Sequence, residues 1–255
     1  MDISTAKAIV TGGASGLGLA TAAAIVAKGG QAVLLDINDA AGAAAAQQLG
    51  NDTRYLATDV SNETNVQQSL AAAAEHMGGI TLAVSCAGIV APGRVLGRDG
   101  PMQSDYFTRT IMVNLVGSFN VAKEAAHIMQ HNTPNDDGER GVIINTASVA
   151  AFEGQIGQAG YSASKGGVVG MALPMARELA RFGIRVMTIA PGIFMTPMMA
   201  GLPEETQASL AAQIPFPSRL GTAEEYADLA AYIYTNAMLN GETIRLDGAI
   251  RLHPK

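Results

Sequence analysis

Short apolar segments rich in β-branched residues alternate with alanine-rich segments of helical length along most of this chain. Runs that are apolar without alternation are typical of strands buried on both faces of a parallel sheet. The pattern therefore predicts a doubly wound α/β fold with helices on both faces of the sheet. The predicted strands are 8–10, 32–35, 55–57, 82–85, 142–145, 186–189 and 243–246, and the predicted helices are 17–28, 40–49, 66–77, 106–129, 162–181 and 223–235.

The interior that this pattern implies is large. Of the 255 residues, 48% are hydrophobic and 15% are charged, whereas about 25% charged residues is usual. Disorder requires low hydrophobicity and high net charge, so the composition excludes it. No internal repeat and no linker-like segment divides the chain, and we expect a single domain over residues 1–255.

The charge balance and the scarcity of metal-ligating residues exclude several classes of function. The net charge is −6 and no block of lysine and arginine occurs, so we expect neither a nucleic acid nor a membrane as partner. No apolar run reaches the roughly 18 residues of a membrane span. Cys86 is the only cysteine and the four histidines are scattered, so we expect no metal site. The segment before the first predicted strand is too short for a signal peptide, which favours a cytoplasmic protein.

A glycine-rich segment follows the first predicted strand and leads directly into the first predicted helix. Glycine lets the backbone approach a pyrophosphate closely, and a helix N-terminus offers unpaired N–H groups to an anion. The spacing is G-x-x-x-G-x-G, which differs from the G-x-G-x-x-G dinucleotide pattern. Because a strand and a helix flank the segment as that mechanism requires, we favour a dinucleotide site over an ordinary turn. The cofactor-binding residues predicted there are Gly12, Ser15, Gly16, Leu17 and Gly18.

Asp36 ends the second predicted strand, where a carboxylate can accept hydrogen bonds from an adenosine ribose and would repel a 2′-phosphate. Neither Ala14 nor Ser15 is a cation that could neutralise such a phosphate. This predicts NAD rather than NADP as the cofactor; the alternative is that Asp36 only caps a turn. Asp59 and Val60, which follow the third predicted strand, are expected to face the adenine ring.

Tyr161 and Lys165 lie four residues apart, so both fall on one face of a predicted helix. An unperturbed tyrosine has a pKa of about 10 and is a poor base near neutral pH. An adjacent ammonium would lower that pKa, so Tyr161 could exchange a proton with a substrate hydroxyl. Ser148, at the end of a predicted strand, could hydrogen-bond the same oxygen. The Y-x-x-x-K pattern alone is weak, but with Ser148, Asp36 and the glycine-rich segment it strongly indicates an alcohol–ketone oxidoreductase.

Together these motifs resemble the short-chain dehydrogenase/reductase family over essentially the whole chain. The resemblance implies a Rossmann-like fold with a seven-stranded parallel sheet. It also implies a catalytic tetrad in which Asn114 holds a water of the proton relay and Lys165 binds the nicotinamide ribose. The tetrad is Asn114, Ser148, Tyr161 and Lys165, and the further cofactor contacts are Ala87, Gly88, Tyr161, Lys165, Pro191, Gly192, Ile193 and Thr196.

One departure from the family pattern is visible after the fourth predicted strand. The usual Asn-Asn-Ala-Gly reads Ser85-Cys86-Ala87-Gly88 in this chain. Serine is shorter than asparagine, which leaves the side-chain role at position 85 open, while the backbone at Ala87 and Gly88 can still approach the ribose.

Residues 140–155, 214–221 and 239–251 are similar to one branch of this family, the type 2 3-hydroxyacyl-CoA dehydrogenases, also called 17β-hydroxysteroid dehydrogenases type 10. The resemblance implies oxidation of (S)-3-hydroxyacyl-CoA to 3-oxoacyl-CoA by NAD, in fatty-acid or branched-chain acyl-CoA breakdown. Ser148, Gln155 and Tyr161 are then the substrate contacts, and Gln155 would donate to the thioester carbonyl; a surface position for Gln155 is the alternative. The sequence shows no basic cluster for the CoA phosphates, so we expect much of the CoA to remain in solvent.

Three other interpretations stay open. A 3-oxoacyl-carrier-protein reductase usually uses NADPH and carries a basic residue in the glycine-rich segment, which this chain lacks. A hydroxysteroid dehydrogenase is a second enzyme alternative. A non-catalytic NAD-binding scaffold is disfavoured because both Tyr161 and Lys165 are present.

We also expect a homotetramer. The predicted helices 106–129 and 162–181 carry many small apolar residues, so both of their faces could be buried. In the family that the chain resembles, these helices form a four-helix contact between subunits.

Overall fold

A seven-stranded parallel sheet forms the centre of the computed structural model, which describes residues 1–50, 52–98 and 100–254. In chain order the strands are β1 (Lys7–Thr11), β2 (Gln31–Asp36), β3 (Arg54–Ala57), β4 (Leu82–Ser85), β5 (Leu96–Gly97), β6 (Gly100–Pro101), β7 (Gly141–Thr146), β8 (Ile184–Pro191) and β9 (Thr243–Leu246). The order across the sheet is β3-β2-β1-β4-β7-β8-β9, and β5 pairs with β6 in a separate antiparallel hairpin. The predicted doubly wound, seven-stranded fold is therefore confirmed.

Helices cover both faces of the sheet. They are α1 (Gly16–Ala27), α2 (Asp39–Leu49), α3 (Glu63–Met77), α4 (Ser104–Ile111), α5 (Gly117–Met129), α6 (Ala159–Leu179), α7 (Pro197–Ala200), α8 (Glu204–Ala211) and α9 (Ala223–Thr235). Alternate residues of each central strand enter two separate cores: Val10 packs with α1 and α9, and its neighbour Ile9 packs with α3 and α5. Burial on both faces explains why these strands lack polar alternation in the sequence.

The predicted elements differ from the observed ones mainly where side chains cap a helix. Helix α3 begins at Glu63, three residues before the predicted start at 66, because the side chain of Asn62 accepts a hydrogen bond from the backbone of Asn65. The predicted helix 106–129 is divided into α4, a π-helical turn over Met112–Val116, and α5. The hairpin β5–β6 and the short helices α7 and α8 were not predicted.

The direction in which strands are added to the sheet reverses at β1. Strands β2 and β3 lie on one side of β1, and β4 and the later strands of the sheet lie on the other side. Ligands of open α/β sheets bind in the crevice at the carboxyl ends of the strands beside such a reversal. The fold thus places the ends of β1, β4 and β7 at one edge. Over the described residues, no helix has the length and apolar character to cross a membrane, and no three His, Cys, Asp or Glu residues are grouped as metal ligands.

Candidate active site

A cavity of about 870 Å³ lies at the carboxyl edge of the sheet and brings together nearly all of the predicted site residues. Asn114 is the single predicted site residue that is not part of its lining. The predicted residues that line the cavity are Gly12, Ser15, Gly16, Leu17, Gly18, Asp36, Asp59, Val60, Ala87, Gly88, Ser148, Gln155, Tyr161, Lys165, Pro191, Gly192, Ile193 and Thr196.

The glycine-rich segment forms the turn from β1 into α1. Gly12 has a φ of +64°, and a Cβ atom there would lie 2.9 Å from the backbone nitrogen of Ala87. Only glycine fits such a conformation and such close contact without displacement of the β4 loop. Ser15 precedes the first turn of α1, and its side chain makes no capping bond to the helix amides. The first turn of α1 therefore faces the cavity with amides that suit an anion.

The carboxylate of Asp36 anchors this segment to the end of β2. One oxygen accepts a hydrogen bond from the backbone of Ala14 at 3.1 Å and the other accepts one from Asn38 at 3.1 Å. Asp36 is half-buried and lines the cavity. The turn-capping role and the proposed ribose contact are therefore compatible, because each carboxylate oxygen can accept more than one hydrogen bond.

Asp59, also predicted as a cofactor contact, is exposed. Its carboxylate accepts a hydrogen bond of 2.9 Å from the backbone N–H of Ser61 and one of 2.6 Å from the Ser61 hydroxyl.

Three of the predicted catalytic side chains meet above β7. Ser148 follows β7, and its hydroxyl oxygen accepts a hydrogen bond from Ala150 at 3.1 Å. Tyr161 and Lys165 lie one turn apart near the start of α6, with the Lys165 ammonium 5.9 Å from the centroid of the Tyr161 ring. Lys165 is buried and donates a hydrogen bond of 2.7 Å to the carbonyl oxygen of Thr146. The site thus presents a phenol and a serine hydroxyl beside a buried ammonium.

Burial is the main influence on both ionisable groups. It raises the pKa of the Tyr161 phenol, and a hydrogen bond with Ser148 lowers that pKa only in part. Burial also lowers the pKa of Lys165 to about 8, an effect that the Cys86 thiol opposes. The prediction that Lys165 would lower the phenol pKa overall is wrong for this structure. Burial of the phenol is the larger influence, and the Lys165 ammonium directs its hydrogen bond to Thr146 rather than to the phenol.

Asn114 lies beneath the cavity, in the π-helical turn between α4 and α5. Its side-chain oxygen accepts from the backbone of Ile89 at 2.8 Å, and its amide donates to the Ile89 carbonyl at 3.0 Å and to the Ser164 hydroxyl at 3.0 Å. Asn114 is fully buried. It therefore fixes the loop after β4 against α6. Gly88 lies close by: a Cβ atom added there would be 3.2 Å from the Asn114 side-chain oxygen and 3.6 Å from the Lys165 nitrogen. Isolated π turns are common at functional sites.

The serine that departs from the family pattern lies in a row of buried polar side chains. Ser85 pairs with Asn145 across β4 and β7, and Asn145 pairs with Thr188 across β7 and β8. Among the described residues, the side-chain polar atoms of all three lack a hydrogen-bond partner. The row lies in the interior of the sheet, so the Ser85 side chain is part of this buried row and not of the cavity lining.

Gln155 lines the cavity, and the carboxyl-terminal segment holds its side chain. The Gln155 amide donates a hydrogen bond of 3.0 Å to the carbonyl oxygen of His253, and the backbone of Ile156 donates one of 3.0 Å to Pro254. One amide hydrogen of Gln155 is left for a substrate carbonyl.

Several cavity residues were not identified from the sequence. Leu252 lines the cavity beyond Gln155, and Leu210 and Gln213 contribute from α8 and the segment after it. Thr146 was also missed, although it holds Lys165 through its carbonyl and bonds the buried hydroxyl of Tyr226 at 2.7 Å. No local pattern marks these residues, because they reach the site from distant parts of the chain.

Comparisons with known proteins agree with this geometry. A family model described as short chain dehydrogenase matches residues 6–207. The 3-hydroxyacyl-CoA dehydrogenase type-2 of Homo sapiens is 55% identical over 249 residues, which cover 97% of this chain and 95% of that protein. The protein of the same name from Drosophila melanogaster is 49% identical over 254 residues, 99% of this chain and 100% of that protein. A crystal structure of 3-hydroxyacyl-CoA dehydrogenase type-2 from Mycobacterium avium matches with a TM-score of 0.92 and 45% identity, covering 97% of this chain and 96% of that chain.

Proposed function

Because the chain belongs to the short-chain dehydrogenase family and is an oxidoreductase, we propose that it oxidises (S)-3-hydroxyacyl-CoA to 3-oxoacyl-CoA with NAD. The observation that carries the proposal is the arrangement of Tyr161, Ser148 and Lys165 at the same cavity as the glycine-rich segment. The 55% identity with a 3-hydroxyacyl-CoA dehydrogenase type-2 over nearly the full length supports the choice of substrate. We also propose one domain for residues 1–255.

The protein side of the reaction is a proton transfer at the Tyr161 hydroxyl. In oxidation, the substrate carbon loses a hydride and its hydroxyl oxygen loses a proton to Tyr161. Ser148 would hold the substrate oxygen, because its own oxygen already accepts from Ala150 and its hydrogen is free to be donated. Lys165 would stabilise the deprotonated phenol through its positive charge. Asn114 would hold a water that returns the proton to solvent.

The residues around the cavity fit a nicotinamide dinucleotide, the cofactor that membership of this family implies. When bound, the nicotinamide ring takes up the hydride that the substrate carbon releases. The backbone at Gly12, Gly16 and Gly18 and the first turn of α1 would hold the pyrophosphate. Asp36 supports NAD over NADP, because this carboxylate would repel a 2′-phosphate. Position 15 is a serine and not a cation that could neutralise such a phosphate. Further contacts would come from Leu17, Asp59, Val60, Ala87, Gly88, Lys165, Pro191, Gly192, Ile193 and Thr196.

Gln155 is the proposed contact to the thioester carbonyl. It lines the cavity on the same loop as Ser148, and one of its amide hydrogens is not used by His253. The length of the acyl chain that fits is bounded by residues of α8 and the carboxyl-terminal segment, among them Leu210 and Leu252.

We propose a homotetramer in the cytoplasm. Exposed aromatic and aliphatic side chains occur on the helices expected at the contact, including Phe119 on α5 and Leu173 on α6. Such residues on neighbouring helices suit a buried subunit contact. A free cysteine, Cys86, suits a reducing compartment.

The test compares acetoacetyl-CoA, an acetoacetyl carrier-protein thioester and a 17-ketosteroid as oxidants of NADH. We expect acetoacetyl-CoA to give a kcat/KM of at least about 10⁴ M⁻¹s⁻¹, the low end of ordinary enzymes, and to exceed the other two. A carrier-protein thioester or steroid that is turned over much faster would identify one of the alternative functions instead.

A further inference from the structure

The carboxyl-terminal segment, residues 250–254, closes one side of the active-site cavity and contacts the loop that carries Gln155. Leu252 lines the cavity, and the carbonyl oxygen of His253 accepts the 3.0 Å hydrogen bond from the Gln155 amide. Residues 250–254 belong to neither a helix nor a strand. The position of the segment, and with it the orientation of the Gln155 amide, therefore depends on contacts with other parts of the chain.

Arg245, on β9, is the centre of a network of four charged side chains that leads into this segment. Its guanidinium donates hydrogen bonds of 2.7 and 2.9 Å to the two carboxylate oxygens of Glu153 and one of 2.8 Å to Asp247. Arg251 donates to Asp247 at 3.3 Å and lies 3.4 Å from the Glu153 carboxylate. Paired, planar hydrogen bonds between a guanidinium and a carboxylate fix the orientation of both groups. The loop is thus attached to β9 two residues before Gln155.

The same guanidinium also holds the carboxyl-terminal segment directly. One nitrogen of Arg245 donates a hydrogen bond of 3.0 Å to the carbonyl oxygen of Ile250, the first residue of the segment. The Ile250 side chain is fully buried and packs in a small apolar cluster with Ile214. Arg245 is therefore bonded to both of the parts whose contact orients Gln155, the loop through Glu153 and the segment through Ile250.

A further contact restrains the guanidinium on the side of the loop. The Arg245 guanidinium lies 5.1 Å from the centre of the ring of Phe152, the residue before Glu153. Hydrogen bonds have preferred directions, whereas apolar contacts are non-directional. The Arg245 contacts therefore set the distance and the angle between the loop and the segment, which apolar packing alone would leave less defined.

We propose that Arg245 and Glu153 are positioning residues for Gln155, an inference that rests on the proposed function. Their ion pair keeps the carbonyl oxygen of His253 on one amide hydrogen of Gln155 and directs the other toward the thioester carbonyl. Neither Arg245 nor Glu153 lines the active-site cavity, so both act through Gln155 and not on the substrate. The thioester contact is then in place before the substrate binds, which lowers the cost of ordering it.

The experiment measures whether Arg245 and Gln155 act together. Arg245→Met keeps an unbranched side chain and removes the guanidinium. We expect it to raise the KM for acetoacetyl-CoA about fivefold, the contribution of one hydrogen bond, and Gln155→Ala to raise it by about the same factor. The double variant should have the KM of Gln155→Ala alone, because Arg245 then has no amide left to orient. In Arg245→Met, the kcat and the Kd for NADH should stay within about twofold.

Arg219→Met is the matched control for the loss of an ion pair. Arg219 forms paired hydrogen bonds of 2.7 and 2.9 Å with Glu225 and is not part of the active-site lining. Its replacement should leave the KM within about twofold. Glu153→Gln removes the charge of the proposed pair from the other side with little change of shape, and it should raise the KM in the same way. This variant tests the proposal if Arg245→Met does not fold.

Hydrogen exchange provides a measurement that needs no substrate. The backbone of Ile156 donates a hydrogen bond of 3.0 Å to the carbonyl oxygen of Pro254, so its exchange rate reports whether the segment stays on the loop. In Arg245→Met, we expect exchange at Ile156 to be at least about tenfold faster than in the natural chain, because local opening becomes easier. In Arg219→Met it should be unchanged.

The outcomes separate this inference from the proposed function. Additive effects, with a KM raised about 25-fold in the double variant, would show that Arg245 does not act through Gln155, and they leave the proposed function intact. An unchanged KM in both Arg245→Met and Glu153→Gln, or unchanged exchange at Ile156, also overturns the positioning role. A natural chain that does not turn over acetoacetyl-CoA overturns the proposed function and the thioester contact together.

Discussion

Lys165 lies 5.9 Å from the centre of the Tyr161 ring, and its hydrogen bond goes to the carbonyl oxygen of Thr146 rather than to the phenol. The lysine therefore acts on the tyrosine through its charge and its position. Burial shifts each pKa against the charged form, upward for Tyr161 and downward for Lys165.

We expect Tyr161→Phe to lower kcat by about 10²–10⁴-fold, the usual contribution of a positioned acid or base. NADH binding should change little, because only the phenol oxygen is removed. Steady-state kinetics and NADH fluorescence titration measure the two effects. Residual activity above about a tenth of the natural value would show that another group transfers the proton.

The raised pKa of Tyr161 also predicts opposite pH dependences for the two directions. Oxidation needs the phenolate, so its kcat/KM should rise with pH, whereas reduction needs the phenol and should fall only as the pH approaches the raised pKa. Rate profiles from pH 6 to about 10 in both directions provide the check. A rate of oxidation that is constant across that range would contradict the role of Tyr161 as the base.

Lys165→Met should increase the stability of the fold at pH 7 while it abolishes turnover. The folded pKa of about 8 lies below the unfolded value of 10.5, so the lysine destabilises the fold by roughly 3 kcal/mol at pH 7. This penalty is complete below pH 8 and disappears as pH rises through 10.5, because the unfolded chain binds the extra proton only in that window. Loss of the bond to Thr146 offsets about 1 kcal/mol.

Thermal melting of the natural chain and of Lys165→Met at pH 7 and at about pH 10 tests this. The variant should melt higher at pH 7, with a smaller difference at the higher pH. Tyr161→Phe serves as the control, since it leaves Lys165 in place. A variant that is less stable at both pH values would show that the contacts of Lys165 outweigh the cost of its burial.

We expect Asp36→Ala combined with Ser15→Arg to shift the ratio of kcat/KM for NADH over NADPH by at least about tenfold toward NADPH. The first change removes a repulsive carboxylate, and the second adds a cation at an exposed position before α1. Because Asp36 also holds the backbone of Ala14, Asp36→Asn is the matched control that removes the charge and keeps an acceptor. An unchanged ratio in the double variant would place the ribose elsewhere.

The protein should have four chain masses in light scattering at micromolar concentration. Phe119→Glu should lower this mass, because a charge at an exposed phenylalanine of α5 cannot be buried in a subunit contact without a partner. A monomeric mass for the natural chain would refute the tetramer.

The seven strands of the sheet, and most of the site, could be predicted from the sequence. Strands buried on both faces have a continuous apolar signature, and the glycine-rich turn and the Tyr161–Lys165 spacing each depend on contacts within a few residues. Local rules are sufficient for such features. The family resemblance added Asn114 and the segment 191–196, for which no local argument exists.

Only the tertiary structure decided the features that depend on distant segments. The raised pKa of Tyr161 follows from its burial at the site, and Lys165 is held by Thr146 on a different element. One cavity is lined by Arg94, Arg98 and Arg109 because the β5–β6 hairpin folds against α4, and hairpins of two-residue strands have no periodic signature. Burial and the local electrostatic field are sums over neighbours in space, whereas a sequence records neighbours along the chain. For this reason the sequence determined which groups perform the chemistry, and the fold determined their charge states and the position of the positive surface beside them.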